Sequence, residues 1–393
     1  MEKTGVLIVG ALGTISVSVI TGITAINRGL LPERGMIANE ADFDPLNMVP
    51  MDRLVFGGWD IREDTLIEAA RKQEVVPPSI LEEISEELEN IPVWPGALSN
   101  VDDHIQDVYA LQDSPASLLE EVRNISESID QFKQEHNVHR VVVVNATATE
   151  KYVEPLSLYD CLDNFEDGLE SDSKDIRSGM LYAYAALKNG CAYVNFTPSI
   201  TAEIPALQEL AEKEQVPIAG KDGRTGQTLY KHVLGKMFKA RGLKIKGWYS
   251  TNILGNADGK VLNDPEHSAT KIASKENGLE HILGYHDFDH LVRIDYFPIR
   301  GDHKEAWDTI EFEGWLGEQM SMKVNWLGSD ATLAAPLIID LVRFMDHALR
   351  LNLSGFQKHL ALFFKSPYQD EEYAMDEQYQ RLLQFTNTVN TIR

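Results

Sequence analysis

The stretch Gly5-Val-Leu-Ile-Val-Gly-Ala-Leu-Gly-Thr-Ile-Ser-Val-Ser-Val-Ile-Thr-Gly-Ile-Thr-Ala-Ile26 decides the fold of this chain. Val6 to Val9 is a short continuous apolar run, the pattern of a strand buried on both faces. A glycine turn, Gly10-Ala-Leu-Gly13-Thr14, follows it. Thr14 to Ala25 then carries apolar and small residues on nearly every side, the pattern of a helix buried over most of its surface. Strand, glycine turn and helix in this order form the first half of a dinucleotide-binding unit. The glycines let the main chain approach a pyrophosphate, and the helix N-terminus offers it unpaired N–H groups. Gly10, Ala11, Leu12, Gly13, Thr14 and Ile15 are therefore the candidate cofactor loop. The spacing departs from G-x-G-x-x-G, which leaves a plain tight turn as the alternative. No acidic residue about twenty positions on stands out as a ribose ligand, Glu33 and Asp42 being merely available. The stretch is uncharged and about as long as a membrane-spanning helix. Its glycines, its division into two elements, and the lack of a basic flank and cleavage site argue instead for a strand and a helix.

Two more segments repeat the theme. Arg53-Leu-Val-Phe-Gly-Gly-Trp-Asp60 ends a strand in glycines and a carboxylate, and Arg140-Val-Val-Val-Val-Asn-Ala-Thr-Ala-Thr149 ends a four-valine run in small polar residues. Both have the pattern of central parallel strands. Ligands of such sheets sit beyond the carboxyl ends, so Asp60, Ala146, Thr147 and Thr149 line one crevice. Ile80 to Gln134 is acidic and helical in pattern, its charge runs being solvated faces. A helix around Met180 to Lys188 leads to a strand at Ala192 to Phe196, a helix at Glu203 to Glu214 and a short strand at Val216 to Ala219. From Lys244 the pattern changes to longer alternating runs, Lys244 to Thr251, His290 to Phe297 and Met320 to Trp326. These predict a second, mostly antiparallel sheet. From Ala331 the chain is again helical in pattern, through Pro336 to Leu351 and Ser354 to Lys365.

A length of 393 residues accommodates two or three domains, and 43% hydrophobic with 25% charged residues is an ordinary globular composition. The formal charge of −25 argues against nucleic acid or an anionic membrane as primary partner, so cations that meet an anionic ligand must be locally gathered. Cys161 and Cys191 are too few for a disulfide framework and match no zinc spacing, which favours a reducing cytoplasm. His281, His286, His290 and His303 with Asp287, Asp289 and Asp302 form a His/Asp-rich tract whose spacing is not diagnostic of a metal.

Polar, glycine-punctuated loops crowd between Gly220 and Lys275: Gly220-Lys-Asp-Gly-Arg-Thr-Gly-Gln-Thr228, Asn252-Ile-Leu-Gly-Asn-Ala-Asp-Gly-Lys260 and Thr270-Lys-Ile-Ala-Ser-Lys275. That is the texture of an anion site. Lys271 and Lys275 stand four apart and leave one face of a helix, and Gly226-Gln-Thr228 precedes an amphipathic run whose N-terminus suits a phosphate.

At these residues the sequence resembles the myo-inositol-phosphate synthase family. The matching segments are Val55 to Ile61, Gly220-Lys-Asp222 with Thr225 to Thr228, Leu254 to Gly259, the Lys271 and Lys275 pair, Gly301 to Lys304, Ser329 to Asp340 and Phe364 to Pro367, in order over nearly the whole chain. The length resembles the compact prokaryotic branch. The resemblance implies an α/β fold: a Rossmann-type NAD-binding domain, 1–220 plus 336–393, with an inserted α+β catalytic and oligomerisation domain, 221–335. It implies a homotetramer built on the inserted sheet. It implies conversion of D-glucose 6-phosphate to 1D-myo-inositol 3-phosphate. In the family NAD oxidises C5, a proton leaves C6, the enolate closes on the C1 aldehyde, and NADH reduces C5 again.

Roles carried over by position follow. Lys271 resembles the residue that exchanges the C5 hydroxyl proton, Lys275 and Lys304 resemble contacts to phosphate and C5 oxygen, and Lys365 would stabilise the C5 oxyanion. Asp222 and Asp258 match carboxylates beside the nicotinamide and the lysines, and Asp330 one that orients a lysine. Asp60 with Ile61 belongs to the cofactor set. Thr225, Gly226, Gln227, Thr228, Leu254 and Asn256 would hold the phosphate. Family members differ in their need for a divalent or monovalent cation. The chain departs from the family at Ala11-Leu12, Lys221, Gly223-Arg224, Ala257 and His303, which touches substrate preference more than reaction class.

Taken singly, these residues have plainer readings. Lys271 and Lys275 would be a solvated helix face, Lys304 and Asp222 turn residues, Asp330 an N-cap and Lys365 a C-terminal helix charge. Their joint occurrence in matched segments favours the catalytic reading. An NAD-dependent sugar-phosphate dehydrogenase that releases NADH is the first rival, and a non-catalytic nucleotide-sensing regulator the second.

Overall fold

The uncharged N-terminal stretch folds as strand and helix. In the computed structural model, which describes residues 2–102, 105–106, 116–255, 278–301, 303–370 and 372–392, β1 (Thr4–Val9) is buried along its whole length and Thr14–Asn27 is a helix. Among the described residues no helix is long and apolar enough to cross a membrane. The further strands of the same sheet are β2 (Leu54–Asp60), β3 (Val93–Pro95), β4 (Arg140–Asn145), β5 (Ala192–Asn195), β6 (Pro217–Gly220) and, after four strands of a second sheet, β11 (Gly355–Phe356). They pair in the order β11-β6-β5-β4-β1-β2-β3, every pair parallel. From β3 to β6 this is the doubly wound 3-2-1-4-5-6 order, whose reversal point lies between β1 and β4.

Both faces of the sheet are covered, which is why its strands read as unbroken apolar runs. One face packs on the helices Thr14–Asn27, Leu66–Gln73 and Asp330–Arg350, the other on Leu118–His136, Ser178–Lys188 and Pro205–Lys213. Gly58 in β2 is required by the close approach of β1: a Cβ there would lie 2.1 Å from the Ile8 carbonyl oxygen.

The second sheet has the order β10-β9-β7-β8, with β7 (Lys244–Leu254), β8 (Asp289–Tyr296), β9 (His303–Glu313) and β10 (Gln319–Ser329). It is antiparallel except for the β7–β8 pair, which is parallel. The helix Gly226–Ala240 packs against it around Phe238, Trp248 and Ile310. β9 falls outside the expected alternating runs because its inward positions include Lys304 and Asp308, both buried, and Glu305 on the other face is buried too.

Two other expectations are corrected. Ser354 to Lys365 is not a continuous helix: Gly355, at φ +63°, begins the short edge strand β11, and a 3-10 turn, Lys358–Phe363, follows. The helix after β10 is capped by Ser329, whose Oγ accepts the Thr332 N–H at 3.3 Å, so Asp330 is its first residue and not its cap.

Candidate active site

The helix Thr14–Asn27 begins at Gly13 without a side-chain cap. Its free N–H groups open over the carboxyl ends of β1, β2 and β4, where a crevice runs the width of the sheet's reversal point. One end is walled by Trp59, Ala97, Val101, Ile105 and Tyr182, with Asp60, Ile61 and Arg62 at the tip of β2. Gly10 and Gly13 line this end, and Thr14 and Ile15 the other. Ala11 and Leu12 put their side chains into the core. The Leu12 N–H donates to Asp60 Oδ2 at 2.8 Å, so Asp60 braces the glycine turn. Ala146 and Thr147, at the tip of β4, line both ends, and Thr149 the second. Beneath the first end Glu150 accepts from Ser178 Oγ (2.8 Å) and the Gly179 N–H (2.9 Å), and burial raises its pKa.

The other end of the crevice lies between the two sheets and gathers the cations. Lys365 Nζ donates to Asp222 Oδ1 at 2.7 Å, both residues being buried. Their main chains are tied together as well, the Lys365 N–H donating to the Asp222 carbonyl at 2.7 Å, while the Asp222 N–H donates to the Thr197 carbonyl. Lys304 Nζ donates to Asp330 Oδ2 at 3.0 Å. That pair follows from the β9–β10 register, which sets Lys304 opposite Gly328, two residues before Asp330. Two lysines, each held by a carboxylate, thus face one cavity that Thr225, Gln227, Thr228 and Leu254 also line.

A second helix N-terminus opens there. Gly226–Ala240 begins at Thr225, again without a side-chain cap. Gly226, at φ +57°, lies so close to Asp330 that a Cβ would come within 3.0 Å of its Oδ1. Thr228 Oγ1 is buried and, among the described residues, has no hydrogen-bond partner. The Gln227 side chain is already engaged: its Nε2 donates to Asp308 Oδ2 (2.7 Å) and its Oε1 accepts from Asn252 Nδ2 (2.7 Å). Asp308 also accepts from Tyr230 Oη (2.6 Å), Trp248 Nε1 (2.6 Å) and Ser250 Oγ (2.5 Å). Burial, then this carboxylate, push the Tyr230 phenol pKa far up. The network locks the first turn of the helix onto the second sheet. Asp308 was legible only as an acid in a charged run. Arg62 directly follows the Asp60-Ile61 pair, and that adjacency was its signal.

Asn256, Asp258, Lys271 and Lys275 lie outside the described residues, as does Asp302 of the His/Asp tract. The rest of that tract disperses. His290, half-buried, has its Nε2 3.0 Å from Nζ of the buried Lys231, and burial, then the Lys231 charge, lower its pKa to about 3. Asp287 pairs with the exposed Lys244 at 2.6 Å. Among the described residues no cluster of three His, Cys, Asp or Glu could hold a metal ion. Of the departures, Gly223 lines the cavity, while Lys221 and Arg224 turn away from it: Lys221 pairs with Glu203 at 2.6 Å, and Arg224 is buried, donating to Gln378 Oε1 at 2.5 Å, with its pKa lowered by burial to about 10.

A family model described as myo-inositol-1-phosphate synthase matches residues 4–393. The chain is 38% identical over 391 residues to inositol-3-phosphate synthase 1 of Bacteroides thetaiotaomicron, covering 94% of this chain and 91% of that one. It is 32% identical over 326 residues to inositol-3-phosphate synthase 1 of Populus euphratica, covering 79% of this chain and 62% of the relative. Among solved structures, inositol-3-phosphate synthase of Caenorhabditis elegans superposes with a TM-score of 0.91 at 25% identity, covering 99% of this chain and 86% of that one. A myo-inositol-1-phosphate synthase-related protein of Thermotoga maritima has the same fold, with a TM-score of 0.81 at 21% identity over 98% of this chain and 99% of that one. With its crevice, its two open helix ends and its paired lysines, the chain belongs to the myo-inositol-1-phosphate synthase family.

Proposed function

We infer that this chain cyclises D-glucose 6-phosphate to 1D-myo-inositol 3-phosphate, with NAD held through the cycle. The observation that carries the reading is the cavity between the sheets, where a helix terminus without a side-chain cap and a Thr228 hydroxyl with no partner among the described residues face Lys304–Asp330 and Lys365–Asp222. A phosphate fits the first pair of features and an anionic sugar oxygen the second.

The residues present also fit NAD. The Gly13–Thr14 terminus suits its pyrophosphate, the apolar wall around Ala97 and Ile105 its adenine, and Ala146, Thr147 and Thr149 the part that crosses to the second end. Bound NAD supplies a reversible hydride acceptor for the sugar C5. The side chains do the rest. Main-chain N–H groups of Gly226 to Thr228, with Thr225, the Thr228 hydroxyl and Leu254 lining the site, hold the phosphate and fix the sugar's position. Lys365, aimed by Asp222, stabilises negative charge on the C5 oxygen. Lys304, aimed by Asp330, supports the phosphate and the same oxygen. From the family resemblance alone, Lys271 exchanges the C5 hydroxyl proton, Lys275 serves the phosphate and the C5 oxygen, Asp258 serves the nicotinamide and the lysines, and Asn256 serves the phosphate.

On this reading residues 1–220 with 336–393 carry the cofactor and Lys365, and 221–335 carries the other catalytic lysines and the tetramer contact. Tyr249, Leu291, Trp307 and Leu327, exposed apolar residues of the second sheet, support that contact. A divalent or monovalent cation beside the phosphate belongs to the same proposal, as does a cytoplasmic location, which the two free cysteines suit.

The test is to give the purified protein NAD and glucose 6-phosphate and assay inositol phosphate and NADH separately, with and without EDTA. Inositol phosphate without net NADH is expected. NADH in proportion to sugar consumed would make the chain a dehydrogenase, and neither product would make it a binding protein. Lys365→Ala should lower kcat by roughly two to three orders of magnitude, the scale of a lost oxyanion donor.

A further inference from the structure

The carboxylate that ends β2 is already occupied by the chain itself. In a doubly wound sheet the acid at this position accepts the adenosine ribose hydroxyls, whereas an arginine nearby accommodates a 2′-phosphate. Asp60 stands at that place and is buried. Its Oδ1 accepts the Arg62 N–H at 3.0 Å and Arg62 Nε at 2.9 Å, and its Oδ2 accepts Arg62 Nη2 at 3.1 Å besides the Leu12 N–H at 2.8 Å. Arg62 lines both ends of the crevice, and its side chain keeps 25% of its surface exposed.

The geometry points to Arg62 as a specificity-determining residue that lets this chain accept a dinucleotide with a 2′-phosphate, NADP, as well as NAD. A guanidinium in two-point contact with a carboxylate cancels its charge. A 2′-phosphate at the tip of β2 therefore meets a neutralised ion pair that still carries guanidinium N–H donors, in place of a bare anion, which would repel it. Asp60, meanwhile, is committed to bracing Leu12 and Arg62. Selection against the phosphorylated ribose, which rests on an exposed carboxylate charge, is correspondingly weak. The inference rests on the proposed placing of the dinucleotide in this crevice.

Calorimetric titration of the purified chain with NAD and NADP, without sugar, tests it. The wild-type protein should bind the two with dissociation constants within about tenfold of each other. Arg62→Ser leaves Asp60 unopposed and should raise the NADP-to-NAD ratio of dissociation constants by a further tenfold or more, whereas Arg62→Lys, which keeps the charge, should stay within about threefold of wild type. Thermal melts establish that each variant is folded. NAD binding with NADP excluded from the wild type, or a ratio unmoved by Arg62→Ser, overturns the inference and leaves the proposed function standing. Failure of both dinucleotides to bind overturns the placing of the cofactor, and the inference with it.

Discussion

Two helices, Thr14–Asn27 and Gly226–Ala240, present uncapped N-termini to one crevice, yet they are held there by different means. The first is held by main chain. β1 and β2 run parallel and close, Gly58 permits that approach, and the Gly10 and Ala11 N–H groups both donate to the Trp59 carbonyl. The second is held by side chains converging on Asp308 from β7, from the helix itself and from Asn252 through Gln227. Main-chain support tolerates almost any apolar side chain but no added Cβ at the contact. Side-chain support tolerates backbone drift but no lost acceptor. Substitution should therefore separate the two ends.

The largest effect is expected at Gly58. An alanine Cβ would sit 2.1 Å from the Ile8 carbonyl oxygen and 2.9 Å from Ala11 Cβ, so β1 and β2 must part. Overpacking of this kind costs about 3 kcal/mol or more, because backbone and not a flexible side chain has to move. Gly58→Ala should lose NAD binding and shift urea unfolding by that amount. Parent-like stability with NAD affinity intact would show that the first terminus does not depend on this approach.

Asp308→Ala should strike the second terminus alone. It strands buried donors from Gln227, Tyr230, Trp248 and Ser250. An unsatisfied buried donor costs about 1–3 kcal/mol, and part of that is relieved by rotation. A destabilisation of roughly 3 kcal/mol is expected, with KM for glucose 6-phosphate raised tenfold or more and the NAD dissociation constant within about twofold of wild type. Asp308→Asn keeps the shape and some acceptor capacity and should fall between. Equal loss of both ligands would mean that the two ends are one cooperative unit.

Acid should also tell the ends apart. His290, held at about 3 by burial and then the Lys231 charge, and His232, held well below its ordinary value by burial and then Arg224, both support the second helix. Each binds fewer protons folded than unfolded, so its contribution is complete above about pH 6.5 and erodes as pH falls toward 3. On the parallel-sheet side His359, at about 3 through burial, acts the same way, but Asp340, raised by burial to about 7, acts in reverse. Between about pH 4 and 7 Asp340 is protonated only when folded, so its contribution grows on acidification. Hydrogen exchange at pH 5 against pH 7.5 should show protection of Gly226–Ala240 falling about tenfold relative to β1 and β4. An even loss across both sheets would break the comparison.

What the sequence made legible follows the same division. β1 and β4 announce themselves because burial on both faces demands unbroken apolar runs, and the glycine turn announces the first terminus. β9 does not, since Lys304 and Asp308 point inward for reasons of site chemistry and so spoil the alternation that marks a strand. The proposed phosphate-loop residues were read from matched segments, but the engagement of Gln227 by Asp308 spans 81 residues and has no local signature. No acid stood out about twenty positions after the turn; Asp60, read instead from the end of its own strand, lies farther along because 3-10 turns and loops separate the first helix from β2. The Asp330–Lys304 pair depends on the β9–β10 register, which pattern alone does not set.

The smallest and most local test is Thr228→Val. Valine matches threonine in shape, so the helix and its packing should be preserved. Thr228 Oγ1 has no hydrogen-bond partner among the described residues, so folding stability should hold or rise slightly once an unsatisfied buried hydroxyl is gone. If that hydroxyl donates to the substrate phosphate, a charge-assisted bond worth about 1.5 to 3 kcal/mol is lost, and KM for glucose 6-phosphate should rise tenfold or more with kcat within about twofold. The contact is the same in ground and transition states, which is why it should appear in KM and not in kcat. The first terminus offers a control: Thr14, the first residue of its helix, lines the same crevice, and Thr14→Val should leave KM for the sugar unmoved. A KM unchanged in Thr228→Val would mean that the second terminus grips its anion through main-chain N–H groups alone, as proposed for the first, and the contrast between them would then lie only in what holds each helix in place.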